Sequence, residues 1–474
     1  MSESQHPELP GPAARLPKQR RLTLLALACL IFFTTSGGPF GLEPLVGAVG
    51  PGLAVILLIA TPFLWSIPIA FMAAELTAMM PDEGGYYVWV TESLGSFWGV
   101  QEAWWSMGYA LVLLASFPVL FVTYLGYFFP ALATVGSDAG ASGLHVGRWL
   151  ITVLVALTAT GVNLLGSKNV GRSANLTAAV VIGAFLVMIA CWLFSDPRPA
   201  EIAHTIGNDL AGDHRGALLL GLSIIVFNYS GWDNASTYAG EVENPQRTYP
   251  LALALALVVV VLNYLVPVIA GISLTTDPAV WSDKSGWPVI AQMIGGPILG
   301  YLIAAAGLVS MWALFNAQLL YVSRLPYVMA RDGWLPPIFA RASARTGAPT
   351  VAIATICVLT AMLTTFSFNA LTIIVCLLNV AALTLEFLAL IVLRWRLPGA
   401  NRPFRVPGGW PGIFVIAVLP FAFAAAVISS LLRDWRSYPV ELSVVAGIVV
   451  SGIAVYLARR SAATRTRIAA HRAR

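Results

Sequence analysis

Three acidic residues stand inside long apolar runs of this sequence, Glu43, Asp233 and Glu386, while Glu75 and Glu102 lie nearer the ends of two other runs. An ionised carboxylate in such surroundings is costly unless a proton or a cation neutralises it. No Lys or Arg falls in the middle of any apolar run. Each acid therefore reads as a proton carrier, as a partner for an ammonium, or as both. Glu43 and Asp233 are the stronger candidates, because each follows directly on a glycine-punctuated tract. The structural alternative is a cap, in which the acid bonds the free N–H groups of the half-helix that follows it.

The tracts themselves carry chemistry. Ser36-Gly37-Gly38-Pro39-Phe40-Gly41 interrupts one apolar run and Ser230-Gly231-Trp232-Asp233 interrupts another. Glycine weakens a helix, and proline removes a donor and clashes with the preceding turn. In lipid, such a break is tolerated where its backbone lines a protein-enclosed cavity. N–H groups at a half-helix start attract a carboxylate, and freed carbonyls attract an ammonium. Gly37, Gly38 and Gly231 let a ligand approach the main chain, and Ser36 adds a hydroxyl. Phe227 and Trp232 flank the second break, placed to cover a ligand or stack on its cation. Trp312 and Asn316 stand one turn apart on one face of a third run. A membrane tryptophan is more often an interface anchor, but Trp312 is near the middle of its run. The candidate substrate-binding set is thus Ser36, Gly37, Gly38, Glu43, Phe227, Gly231, Trp232, Asp233, Trp312 and Asn316, with Glu43 and Asp233 as proton-coupling candidates.

The elements that must position these residues are helices in a bilayer. The 474 residues are 58% hydrophobic and only 10% charged, whereas a soluble domain carries roughly a quarter charged residues. About 20 apolar residues make one span. Apolar runs near 22–48, 52–80, 97–129, 146–165, 174–195, 216–242, 249–274, 297–323, 349–366, 369–394, 412–432 and 440–458 predict about twelve spans in an all-α integral membrane protein. An even count puts both termini on one side. With the N-terminus inside, 21 Lys and Arg fall in inner segments and six outside (Arg148, Arg198, Arg215, Lys284, Arg433, Arg436), so both ends are expected in the cytoplasm. The inner loop Pro81 to Gly95 runs against this pattern, with Asp82, Glu83 and Glu92 and no base. Breaks in spans one and six suit two five-helix repeats, 22–195 and 216–396, each opening with a broken helix around a midplane site. A pair, 412–458, follows. Residues 1–21 read as a disordered cytoplasmic arm, and 459–474 as a basic cytoplasmic tail facing headgroups.

Several chemistries are disfavoured. Cys29, Cys191, Cys357 and Cys376 have no paired spacing, which argues against disulfides or a zinc site. The five histidines fall in loops or tails, so neither a metal, nor a cofactor, nor an enzyme's nucleophile-and-base pair is expected in the membrane. The net charge of +5 suits anionic headgroups rather than nucleic acid. The first apolar run is too long for a signal peptide.

Five segments, in order over roughly residues 25–410, resemble the amino acid–polyamine–organocation superfamily, most closely its polyamine-uptake and light-chain-like amino acid transporter branches. Thr35-Ser36-Gly37-Gly38-Pro39-Phe40-Gly41-Leu42-Glu43 is similar to the family's broken first helix. Ala74-Glu75-Leu76 through Pro81-Asp82-Glu83-Gly84-Gly85-Tyr86-Tyr87 resembles the signature after span two. Asn228 to Asp233, continuing through Ala239-Gly240-Glu241-Val242-Glu243-Asn244-Pro245, resembles its sixth helix. Met329 to Pro337 and Arg402 to Pro407 resemble the loops after spans eight and ten. The resemblance implies a five-plus-five inverted repeat with two added helices, and alternating access to a central site. It also implies a substrate carboxylate received near Ser36 to Gly38, an inner-path gate at Phe227, a substrate contact at Trp312, and ion pairs at the inner gate from Glu241, Glu243 and Arg247. Two departures matter: Ala174 to Cys191 lacks the fifth-helix lysine of many proton-coupled relatives, with Val180 nearest its place, and Pro44 stands where a second acid would follow Glu43. The expectation is a secondary transporter of amino acids or polyamines in the plasma membrane, with proton-coupled uptake; the alternatives are an uncoupled exchanger and a non-transporting receptor.

Overall fold

The computed structural model describes residues 21–130, 142–195, 197–210, 212, 218–281, 286–363, 368–433, 436 and 439–472. Among them, nine helices are long and apolar enough to cross a bilayer: spans two to five (Pro51–Met79, Ser96–Phe128, Gly147–Leu164, Ser167–Phe194), seven and eight (Pro245–Ile272, Gly286–Arg331), ten (Ile374–Arg396), eleven (Gly409–Ala426) and twelve (Pro439–Arg460). The other three expected spans are shorter pieces. Span one is Leu24–Thr35 followed by Glu43–Val49. Span six is Leu218–Asn228 followed by a 3-10 segment, Asn234–Glu241. Span nine is Thr350–Leu363. The chain is an all-α membrane protein, as its composition requires. The expected arm lies largely outside the described residues.

Some boundaries differ from the hydropathy reading. Gly295-Gly296-Pro297 reads as the start of span eight, but the helix begins at Gly286 and kinks at Gly295 and Gly296. Trp287, Ile290 and Ala291, ahead of the kink, are buried against the bundle, so packing holds helix on both sides of a local breaker. Span five begins at Ser167 rather than 174. The last helix continues to Arg472, past the expected end at 458, since Ala and Arg are good helix formers. Hydropathy also passes over two helices outside the spans, Tyr86–Leu94 and Pro199–Leu210, and over the short helix Arg324–Arg331 that continues span eight past Val322. The first docks on span six through the turn before it, where Gly84 N–H donates to the Thr237 carbonyl at 2.8 Å. Gly85 (φ 42°) lies against Ser236 so closely that a side chain there would collide with it.

Candidate functional site

Both breaks are built as the glycines require. Gly37, Gly38 and Gly41 have φ of 67°, 109° and 92°, and Gly231 has 102°, a region costly for other residues. At the first break the helix closes on itself. Ser36 and Gly37 N–H both donate to the Phe32 carbonyl, at 2.8 and 3.0 Å, and Gly38 N–H donates to Ser36 Oγ at 3.1 Å. The freed carbonyls are taken by side chains from other spans. Ser310 Oγ donates to Gly37 O, Trp287 Nε1 to Pro39 O at 2.7 Å, Gln318 Nε2 to Thr34 O at 3.1 Å and Asn228 Nδ2 to Gly41 O at 3.2 Å. These bonds tie spans one, six and eight together at bilayer depth.

A cavity lies where the breaks meet. It is lined by Thr34 to Ser36, Phe40 and Gly41 from span one, by Phe227, Asn228, Ser230, Gly231 and Asn234 from span six, and by residues of spans three, eight and ten, including Tyr109, Gln318 and Asn379. No lining residue bears a formal charge. Its polar wall consists of carbonyls, amides and hydroxyls, and its apolar wall of Leu113, Phe117, Leu120, Met311, Leu314 and Val375. Gln318 Oε1 and Thr35 Oγ1 are buried without a hydrogen-bond partner in the structure. The free space is small, about 40 Å³, room for roughly three waters.

Ser36, Phe227 and Gly231 line this cavity. The other candidates stand behind the wall. Gly37 and Gly38 shape the turn, and their side-chain positions are filled by Leu314, Ser310, Val181 and Phe40. Their amides and that of Ser36 are paired within the break, which corrects the expectation of open donors awaiting a carboxylate. Glu43 opens the second half-helix of span one, where its carboxylate accepts from Gly41 N–H at 2.6 Å and Tyr124 OH at 2.7 Å; Gly41 precedes that half-helix, so these are not the bonds to its free N–H groups that the capping alternative describes. Trp232 is fully buried, with Nε1 donating to the Tyr229 carbonyl at 2.8 Å. Asp233 is also buried, one residue from the lining Asn234. Trp312 and Asn316 face the scaffold: Trp312 Nε1 donates to Thr158 Oγ1 at 3.0 Å, and Asn316 bonds Asn163 (2.7 Å) and Ser173 (2.9 Å) on spans four and five. One-turn spacing put both on one face, but which neighbour that face meets depends on how span eight is rotated in the bundle.

The sequence reading passed over Tyr109, Asn234, Gln318 and Asn379. The available signal was a polar side chain inside an apolar helix, which tends to mark a packed or functional interior. It also passed over the true partner at the basic-loop end of the bundle. Glu241 pairs with Arg324, Nε to Oε1 at 2.8 Å with both side chains buried, and not with Arg247. Arg331 reaches Glu83 at 3.5 Å, and Tyr87 OH donates to Asp332 at 2.5 Å. Burial and the nearby Glu241 charge raise the pKa of the Glu83 loop carboxyl, against a smaller opposing pull from Arg324 and Arg331. Glu75 is held by Arg394 (2.6 Å), Arg402 (3.3 Å) and Val406 N–H (2.7 Å). Among the described residues no group of three His, Cys, Asp or Glu is placed to hold a metal ion.

Residues 22–450 match the amino acid permease family. The polyamine transporter RMV1 of Arabidopsis thaliana is 34% identical over 443 residues, covering 93% of this chain and 86% of its own. The polyamine transporter PUT1 of Oryza sativa subsp. japonica is 36% identical over 413 residues, 86% of this chain and 74% of its own. The human cystine/glutamate transporter is 24% identical over 467 residues, 95% and 87% of the two chains. Paired helix breaks around an uncharged cavity, in a chain matched over nearly its whole length, identify it as a multi-pass membrane transporter of the amino acid permease family, within the amino acid–polyamine–organocation superfamily.

Proposed function

We propose that the chain imports a polyamine across the plasma membrane by alternating access, with both termini in the cytoplasm and the proton gradient as driving force. The observation that carries this reading is the lining of the cavity. An aliphatic chain bearing ammonium groups needs an apolar wall and a set of acceptors, and the cavity offers both, including the unpartnered Gln318 Oε1 and Thr35 Oγ1. An amino acid would also need a receiver for its carboxylate, but the Ser36, Gly37 and Gly38 amides are already paired and no base lines the cavity. The names of the plant relatives point the same way. Asp233 behind Asn234, and Glu43 beyond the first break, bias the region toward cations. Phe227 closes the path on the span-six side. At about 40 Å³ the cavity is contracted, so substrate entry requires the walls to part.

A competition panel in proteoliposomes tests the substrate. Unlabelled putrescine and spermidine should suppress radiolabelled spermidine uptake, and the standard amino acids should not. Uptake of an amino acid with polyamines ignored would overturn the reading. Collapse of the pH gradient should abolish accumulation; undiminished net uptake would favour an uncoupled exchanger.

A further inference from the structure

Three buried carboxylates lie on the basic-loop side of the cavity: Glu102 on span three, Asp233 on span six and Glu386 on span ten, each 2% exposed or less. Asp233 acts electrostatically on both glutamates, and Glu102 acts on Glu386. Glu102 Oε1 accepts from Ser106 Oγ at 2.7 Å, but its Oε2 has no partner. Glu386 Oε2 is likewise unpartnered. The fully buried Tyr86 OH is unpartnered too, and its strongest charged neighbour is Glu102. The surrounding titratable groups are Tyr86 from the short helix before span three, Tyr109 from span three, Tyr249 from span seven and Tyr321 from span eight. No Lys or Arg appears among the groups acting on the three acids. Two arginines at this end are engaged elsewhere, Arg324 with Glu241 and Arg394 with Glu75.

We propose that Glu102 and Glu386 carry the coupled proton, in a chamber shared with Asp233 between the substrate cavity and the ion-paired end of the bundle. The inference rests on the proton-driven reading above and adds the residues that perform the coupling. Three unbalanced carboxylates at this depth are prohibitively costly. A proton neutralises a carboxylate without needing the space that an ammonium would occupy. A protonated carboxyl also becomes a donor, which supplies the hydrogen bonds these oxygens lack. The chamber is connected on both sides. Toward the cavity, Tyr109 OH donates to Asn234 Oδ1 at 2.7 Å; both residues line the cavity, and Asn234 adjoins Asp233. Tyr109 stands two turns above Glu102 on one face of span three, about 10 Å along the axis. Toward the basic end, the Glu241–Arg324 and Glu83–Arg331 pairs close the path. In the cycle, a proton enters from the cavity and converts a carboxylate to the acid. When the ion pairs part, the same proton leaves for the other side, and the carboxylate is restored.

The test uses purified full-length protein in proteoliposomes with radiolabelled spermidine. Glu102→Gln and Glu386→Gln, which mimic the protonated side chain, should each reduce accumulation driven by a pH gradient at least tenfold while spermidine counterflow without a gradient persists. Accumulation at the wild-type level in both variants overturns the proposal. So does loss of counterflow together with accumulation and a raised KM, which would make the pair a substrate ammonium site. If either variant fails to fold, infrared spectra of the wild-type protein decide: titration from acid to alkaline pH should remove a protonated-carboxyl stretch, and its absence overturns the proposal. A wild-type protein that shows no spermidine counterflow would instead defeat the polyamine reading, a separable result.

Discussion

Glu75 and Glu241 are buried as deeply as Glu102 and Glu386, at 0% and 3% exposed against 0% and 1%, yet the two sets sit in opposite chemistry. Each member of the first set is clasped by arginine, Glu75 by Arg394 and Arg402 and Glu241 by Arg324. The second set has only hydroxyls and other acids around it. A paired buried acid keeps its charge and fixes the elements that carry it, because parting the pair strands two charges. An unpaired one must respond to its surroundings by exchanging a proton. The difference follows from position: these arginines sit at helix ends or just beyond them, whereas Glu102 and Glu386 lie one or two turns further into their helices. Rigidity and responsiveness are thus layered along the transport axis.

The sharpest way to break this comparison is at Arg324. Arg324→Ala should strand the Glu241 carboxylate and cost about 3–5 kcal/mol, read as a large fall in thermal stability in detergent and in the monodisperse fraction. Adding Glu241→Ala should recover much of the loss; a double variant as unstable as the single would show that the pair is not the fastening element. A smaller effect is expected at the second break. A Cβ at Gly231 would collide with the Thr34 carbonyl oxygen, at a backbone φ of 102° that disfavours side chains. Gly231→Ala should cost about 1–3 kcal/mol in strain and lower spermidine uptake, because it forces apart the two breaks that form the cavity. Normal uptake at normal abundance would show that their close approach is dispensable. The smallest effect is at Glu83, a carboxyl in the loop whose pKa is raised in the folded protein. The folded state binds this proton more readily than the unfolded chain, so its contribution favours folding at low pH and is lost as pH rises through the raised value. Glu83→Gln should flatten that part of the stability profile. The comparison of melting temperatures runs from the ordinary carboxylate range to neutrality, and an unchanged slope would show that another group titrates there.

Much of the architecture was legible because lipid leaves few options. Apolar runs marked the spans, and Gly37, Gly38 and Gly231 marked where helices had to break, since backbone polar groups at that depth need partners whatever the rest of the fold does. Ser36, Phe227 and Gly231 reached the cavity. Trp312 and Asn316 did not, because a one-turn spacing assigns a face without saying what that face meets; here it meets spans four and five. Gln318, two residues further along the same helix, faces the cavity instead. The chain alone thus determined the membrane class, the number of spans and the places of interruption, all of which follow from local solvation. Only the tertiary structure decided that Arg324 is the partner of Glu241, that the amides of Ser36 to Gly38 are already taken, and that Glu102, Asp233 and Glu386 lie within electrostatic reach of one another. Those facts join residues far apart in the chain, and the rotation and depth of packed helices, which no local pattern encodes, bring them together.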